Sequence, residues 1–168
     1  MERLTHWKKE ANKDYLGSWS LTIGADENDK PIYKEVVATI TKIKREAIPD
    51  MEGIKKGVGN ATKEELLVYF AELDKPMVIH AKTNFKGLET ACGTPFIERW
   101  IGKQVLVYVE KDVKAFGSKT DALRIKPVPK RLCDVCGNII TEKIYQGSMQ
   151  KYGKSICSKE CLEKAGIN

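Results

Sequence analysis

The sequence has few of the residues and motifs on which catalytic sites most often depend. It contains only two histidines, His6 and His80. It has no P-loop, no dinucleotide-binding fingerprint after a predicted strand and no H-E-x-x-H motif. Acidic residues are plentiful but scattered, and His80 falls in a predicted strand, where a structural role is favoured. We therefore predict a protein without catalytic activity.

Long apolar runs are also missing. No segment has the length of a membrane-spanning helix or the pattern of a signal peptide. We therefore expect no membrane association and a cytoplasmic location, where thiols stay reduced. The 29 lysines and arginines exceed the 23 acidic residues, which gives a net charge of +6. This charge is compatible with a polyanionic partner, and equally with a lysine-rich solvated surface.

Cysteine is scarce outside one short segment of the chain. Of the five cysteines, Cys133 and Cys136 form a C-x2-C pair and Cys157 and Cys161 form a C-x3-C pair. Cys92 lies in a predicted short helix, where a small buried residue is favoured over a ligand or nucleophile. Two short cysteine pairs separated by an insert are typical of a metal site with tetrahedral geometry.

Three alternatives to zinc exist for this cluster. A disulfide framework needs an oxidising compartment, and a thioredoxin-like pair needs a βαβ setting that the flanking sequence does not show. An iron–sulfur cluster can use four cysteines, but this spacing is commoner for zinc. We predict one structural Zn²⁺ per chain, because four cysteine ligands leave no coordination position for a reacting water.

The segment around the cysteines predicts a small module of its own. "CDVCG" suits a tight knuckle, and "NIITEKIYQG" with "YGKSIC" could form the two sides of a hairpin. "SKECLEKAG" predicts a helix that is capped by Ser158 and ends at Gly166. This order resembles a treble-clef zinc finger. The two prolines of "KPVPK" place the domain boundary before it, between residues 1–127 and residues 128–168.

The larger domain is predicted to be mainly β. Residues 33–48, 66–73, 76–81, 103–111 and 121–127 read as strands, and residues 50–65 as a loop. A short helix is predicted between the third and fourth strands, with Thr83 and Asn84 at its cap and Gly93 at its end, and one further turn at residues 94–102. The order β-β-β-α-β-β is that of an OB-fold, a five-stranded partly open barrel, although a mixed sheet with one covering helix has the same order.

The alternation within these strands predicts the core. It comprises Val37, Ile43, Leu67, Phe70, Val78, Leu88, Val105, Val107, Leu123 and Ile125.

Several segments of the larger domain resemble a group of small proteins encoded by bacteriophages and prophages. The resemblance rests on "KPMVIHAKTN", "WIGKQVLVYV", "VKAFG" and "ALRIKP", in that order, with "YLGSWSL" near the N-terminus. The tail "YGKSICSKEC" is similar to zinc tails of phage recombination and replication proteins. The resemblance implies an OB-like protein that binds single-stranded DNA in phage replication or recombination.

An OB barrel binds single strands by stacking bases on aromatic rings over a basic groove. The loop "VKAFGSK" between the last two predicted strands places Phe116 between Lys114 and Lys119, although Phe116 could instead plug the end of the barrel. The full set of predicted nucleic-acid contacts is Lys82, Lys114, Phe116, Lys119, Arg124, Lys130 and Arg131. A second class of function stays open, in which the chain binds and modulates a phage or host protein, for example as an inhibitor of host defence.

Overall fold

The structure is a computed structural model that describes residues 4–12, 14–115 and 117–167. The chain divides into two compact units, residues 1–128 and residues 129–168. Among the described residues, no helix combines the length and the apolar character needed to cross a membrane.

The first unit begins with a segment that packs onto its main sheet. Helix α1 (Trp7–Ala11) is followed by a 3-10 turn (Ser18–Leu21) and by a hairpin of β1 (Thr22–Ala25) and β2 (Pro31–Tyr33). Leu16 and Leu21 are buried in the same core as the sheet. The Leu16 N–H also donates to the Pro76 carbonyl at 2.9 Å, which fixes this segment beside the main sheet.

A five-stranded antiparallel sheet forms the centre of the first unit. Its strands are β3 (Val36–Pro49), β4 (Thr62–Phe70), β5 (Met77–Ile79), β6 (Gln104–Ala115) and β7 (Ser118–Lys126). They lie in the order β5-β4-β3-β6-β7, so the fourth strand of the sheet returns to the side of the first, which is a Greek-key arrangement. The predicted mainly β fold is confirmed. A closed barrel is not formed, since no ladder joins β5 to β7 in the described part of the chain.

The long strand β3 changes its neighbour along its length. Residues 36–39 pair with β6 and residues 40–49 pair with β4, with an irregular register between Ile40 and Lys42. A bulge shifts the in–out alternation of a strand. Before this bulge, the buried residues are therefore Ala38 and Ile40. Val37 is only half-buried, so the prediction that placed it in the core is wrong. Ile43, beyond the irregularity, packs against the core as predicted.

Most of the other predicted core residues are buried. The buried ones are Leu67, Phe70, Leu88, Val105, Val107, Leu123 and Ile125, while Val78 is half-buried.

Helix α3 (Lys82–Cys92) connects β5 to β6 and packs against β7. It ends as predicted at Gly93, whose φ of 72° suits the left-handed conformation that glycine adopts without steric cost. Its start was predicted incorrectly, because the N-cap is Ala81 and Asn84 lies buried within the helix. A 3-10 turn (Ile97–Trp100) follows, in which Trp100 is buried and donates to the Thr94 carbonyl at 2.8 Å.

The segment predicted as a loop after β3 contains a short helix. Helix α2 (Met51–Lys55) begins after Asp50, whose carboxylate accepts from the Glu52 N–H at 3.2 Å. The three glycines of this segment suggested a loop, but the aspartate cap is sufficient to start one helical turn.

The second unit contains β8 (Arg131–Leu132), β9 (Ile139–Ile140), α4 (Glu142–Tyr152) and α5 (Lys159–Lys164). The hairpin predicted for the insert is wrong, because most of the insert is α4, capped by Thr141 and ended by Gly153. The arrangement therefore departs from the knuckle, hairpin and helix of a treble clef. Helix α5 is capped by Ser158 as predicted, because the Ser158 hydroxyl accepts from the Cys161 N–H at 3.3 Å.

Candidate metal centre and candidate nucleic-acid interface

The four clustered cysteines of the sequence lie together in the second unit. The sulfur atoms of Cys133, Cys136, Cys157 and Cys161 are all within 4.8 Å of one another, and all four cysteines are free thiols. The Cys136–Cys157 and Cys157–Cys161 sulfur distances are both 3.4 Å. A disulfide requires about 2.05 Å. Sulfurs at the corners of a tetrahedron, each about 2.3 Å from a central ion, are about 3.8 Å apart, so the cluster could hold a metal ion.

Backbone turns present each cysteine pair. In the first pair, the Gly137 N–H donates to the Cys133 carbonyl and the Cys133 N–H donates to the Asn138 carbonyl, both at 2.9 Å. Gly137 has a φ of 71°, which closes the knuckle directly after Cys136. In the second pair, Cys157 precedes the cap of α5 and Cys161 lies in its first turn.

A serine and an aspartate join the two halves of the centre. The Asp134 N–H donates to the Ser155 carbonyl and the Ser155 N–H donates to Asp134 Oδ2, both at 2.7 Å. The Ser155 hydroxyl, which belongs to a residue only 4% exposed, donates to the Leu132 carbonyl at 2.6 Å. This clamp was not predicted from the sequence, where its signal is a turn-favouring aspartate between the two cysteines of the first pair.

Helix α4 supports the second cysteine pair. Its buried Ser148 donates to the Lys154 carbonyl at 2.6 Å and accepts from the Ile156 N–H at 2.8 Å. These two bonds hold the segment that leads into Cys157. The centre is therefore built by residues between the two cysteine pairs as well as by the pairs themselves.

The electrostatics of the cluster favour a cation. Backbone N–H groups, that of Cys136 above all, lower the pKa of the Cys133 thiol to about 6. Hydrogen bonds from Cys157 to Cys161 and Cys136 raise the pKa of the Cys157 thiol, since four thiolates cannot lie this close without compensation. A bound divalent cation supplies that compensation and deprotonates its thiol ligands. The fifth cysteine, Cys92, is buried in the core of the first unit, and burial raises its pKa.

The β6–β7 hairpin presents two of the predicted nucleic-acid contacts. Lys114 and Lys119 are directly opposite each other across the ladder and both are exposed. Neither forms an ion pair with any residue that the structure describes. Gly117 has a φ of 78° between them, and Phe116 lies outside the described residues. Two like charges opposite each other cost stability, so an anionic partner would relieve this arrangement.

The other predicted contacts are placed differently. Lys82 is exposed at the first residue of α3. Arg124 is half-buried, and its guanidinium donates to Glu110 at 2.7 Å. Lys130 and Arg131 belong to the second unit, where Arg131 donates to Glu142 at 3.0 Å and lies 4.2 Å from the ring centre of Tyr145. The arginines of the predicted set thus already have carboxylate partners.

The first unit also contains a cleft that the sequence did not predict. It has a volume of about 830 Å³ and lies among the N-terminal segment, α2, β5 and β7. Its lining includes Trp19, Lys55, His80, Asn84 and Arg124. The aromatic residues of "YLGSWSL" were the only signal of it, because the other lining residues come from distant segments of the chain.

No protein-family model, no curated protein and no solved structure matches the chain. The residues and their geometry are therefore the basis for assigning a function.

Proposed function

We propose that the four-cysteine centre binds one structural Zn²⁺. The sulfur spacing brackets the edge of a zinc–thiolate tetrahedron, and four protein ligands leave no position for a catalytic water. A unit of about forty residues is too small to depend on its apolar core alone. Zinc binding contributes about 10–16 kcal/mol in isolated finger peptides, which is sufficient to stabilise such a unit.

Metal content tests this proposal. Purified protein should contain one zinc per chain by elemental analysis, and Co²⁺ exchanged into the site should give the visible absorption of a tetrahedral thiolate complex. Cys92→Ser is the matched control and should keep the full metal content, because Cys92 lies in the core of the other unit. Iron with sulfide in place of zinc, or no metal at all, would contradict the proposal.

We propose that the first unit is an OB-type domain that binds single-stranded nucleic acid with little sequence preference, most naturally single-stranded DNA in phage replication or recombination. The Greek-key order of the sheet and the helix between its third and fourth strands support this assignment. In OB-folds the loop between the last two strands belongs to the binding face. Here that loop is the tip of the β6–β7 hairpin.

The observation that carries this function is the exposed pair of Lys114 and Lys119. Two cations that have no ion-pair partner among the described residues face each other at the hairpin tip, where phosphates of a strand can approach both. Phe116 lies between them in the sequence and would supply an aromatic face for stacking. Lys82 and Arg124 would add phosphate contacts. Arg124 would first have to break its hydrogen bond to Glu110 before it could bind a phosphate.

Salt dependence tests the role of the two lysines. For single strands, each phosphate contact contributes about −0.7 to the slope of log K against log salt. Replacing both lysines by glutamine should make the slope about 1.4 less negative. The factor by which affinity falls between 50 and 200 mM salt should then be about sevenfold smaller than in the wild type. The measurement is a fluorescence-anisotropy titration of a labelled oligothymidine at both salt concentrations.

A double variant that removes two exposed lysines elsewhere in the first unit is the matched control. Lys86 and Lys103 are both exposed and lie outside the hairpin. Their replacement by glutamine should change the slope far less than the Lys114/Lys119 variant does. Equal effects of the two double variants would mean that only overall charge matters, and the hairpin would lose its assigned role.

A second candidate function, binding of a phage or host protein, is favoured by the surface of the second unit. Three of its apolar side chains are exposed, namely those of Leu132 (51%), Ile139 (68%) and Ile144 (41%). Exposed apolar side chains of this kind suit a protein interface. If the protein binds no oligonucleotide even at low salt, this second candidate replaces the first, since an apolar interface does not weaken steeply as salt rises.

A further inference from the structure

We propose that the cleft of the first unit binds a nucleotide, with the base against Trp19 and an N–H group of the base donating to Asn84 Oδ1. The cleft volume of about 830 Å³ lies within the range of small-molecule sites, about 300–1,000 Å³. Buried Leu16, Met77 and Leu123 supply an apolar floor. Such sites combine an apolar lining with a few fixed polar groups.

Asn84 provides the fixed polar group. Asn84 is one of the residues that line the cleft, and it is only 5% exposed. Its Nδ2 donates to the Leu123 carbonyl of β7 at 3.2 Å, which sets the orientation of the amide. The other amide atom, Oδ1, is covered in this structure and has no donor among the described residues. Buried acceptors are almost always matched, so a ligand or a water that reaches Asn84 from the cleft would supply the missing donor.

Trp19 provides a ring of fixed position. It is half-buried in the 3-10 turn and lines the cleft, as does Tyr15. The backbone of Gly17 packs so closely on the Trp19 ring that a Cβ at residue 17 would lie 2.2 Å from it. The ring is therefore held by the turn itself. Aromatic side chains in such positions stack with nucleobases of any sequence.

The charges around the cleft suit a neutral ring with one phosphate at the edge. Lys55 of α2 lines it with Lys56, Lys63 and Arg124. The start of α3 at Ala81 also lines it and has no side-chain cap. Uncapped helix N-termini attract phosphate. Four acidic residues also line the cleft, namely Asp50, Glu52, Glu65 and Asp121. A polyanion running through the cleft would meet these carboxylates, whereas a single nucleotide need not.

The inference rests on the proposed function only in taking the ligand to be a nucleotide, either free or one unit of a bound strand. The probes are thymidine and deoxyadenosine 5′-monophosphates on one side and oligothymidine on the other. Each is titrated into ¹⁵N-labelled protein while the side-chain amide signal of Asn84 and the indole signals are followed. Both monophosphates should shift the Asn84 and Trp19 signals and leave that of Trp7, which is 68% exposed in α1, unchanged.

Two tryptophan variants form a matched pair. Trp19→Ala should weaken monophosphate binding at least tenfold, and Trp7→Ala should leave it unchanged, because Trp7 is not part of the cleft lining. Asn84→Leu should weaken it similarly, with thermal unfolding measured alongside. Since Asn84 also bonds to β7, the conclusion does not depend on that variant if it fails to fold.

The outcomes separate this inference from the proposed function. Oligothymidine binding that depends on Lys114 and Lys119 but is unaffected by Trp19→Ala, with no monophosphate shifts in the cleft, overturns the inference and leaves strand binding intact. Monophosphate shifts in the cleft without oligothymidine binding support the inference and refute strand binding. Shifts spread over the exposed lysines and not over the cleft also overturn it.

Discussion

Replacing Gly87 by alanine should destabilise the first unit, which is the reverse of the usual effect in a helix. Glycine inside a helix normally costs about 0.5–1 kcal/mol relative to alanine. Gly87, however, lies where α3 packs on β7, and an added Cβ would be 2.2 Å from the Ile125 carbonyl oxygen and 3.1 Å from its carbon. Backbone cannot rotate away as a flexible side chain can, so α3 must move outwards.

Overpacking of this kind costs about 1–3 kcal/mol, which exceeds the gain in helix propensity. We therefore expect a net loss of about 1–2 kcal/mol in the free energy of unfolding of the first unit. The measurement is urea unfolding followed by tryptophan fluorescence, since all three tryptophans belong to the first unit and Trp100 is only 2% exposed in its core. Hydrogen exchange of α3 peptides should show the same loss locally.

The control is Gly147→Ala in the middle of α4. A Cβ at Gly147 would meet no atom within 4 Å, so the ordinary preference of helices for alanine over glycine should make this variant more stable. Hydrogen exchange of α4 should then slow by the equivalent of about 0.5–1 kcal/mol. If both variants stabilise their helices, α3 does not lie against Ile125 and the packing described between α3 and β7 is refuted.

Three further predictions concern the cysteine ligands, the buried Ser148 and the half-buried Tyr33. Cys157→Ser should abolish stoichiometric zinc and expose the amides of residues 129–168 to exchange while the five-stranded sheet stays protected; loss of protection in both units would contradict this. Ser148→Ala should cost about 1–3 kcal/mol of local stability, because the buried Ile156 N–H loses its acceptor, and a chelator competition should show faster zinc release. Burial, together with a 2.7 Å hydrogen bond to Asp121, raises the pKa of Tyr33 to about 12. Its stabilising contribution is therefore complete below pH 10 and is lost as the pH rises towards 12, so Tyr33→Phe should flatten the fall in unfolding free energy between these values; an unchanged pH profile would be the contrary result.

The local pattern of the sequence predicted the five strands of the main sheet and the end of α3, because each is decided by nearby residues. Alternating β-branched residues were sufficient for β3, and Gly93 was sufficient for the end of α3, where a positive φ is required. The insert between the cysteine pairs was mispredicted. Ile139 and Ile140 do form the short strand β9, but the predicted strand continued to Gly147, where the structure has helix α4 capped by Thr141.

The sequence by itself determined the cysteine cluster, since the spacing of the two pairs already limits the geometry they can adopt. It also determined the lysine-bearing hairpin, because "VKAFGSK" carries its own turn. Only the tertiary structure decided the bulge that places Ala38 inside, the partners of Arg124 and Arg131, and the cleft beside Asn84. Each of these depends on contacts between segments distant in the chain, and no local pattern of residues encodes which distant segments will meet.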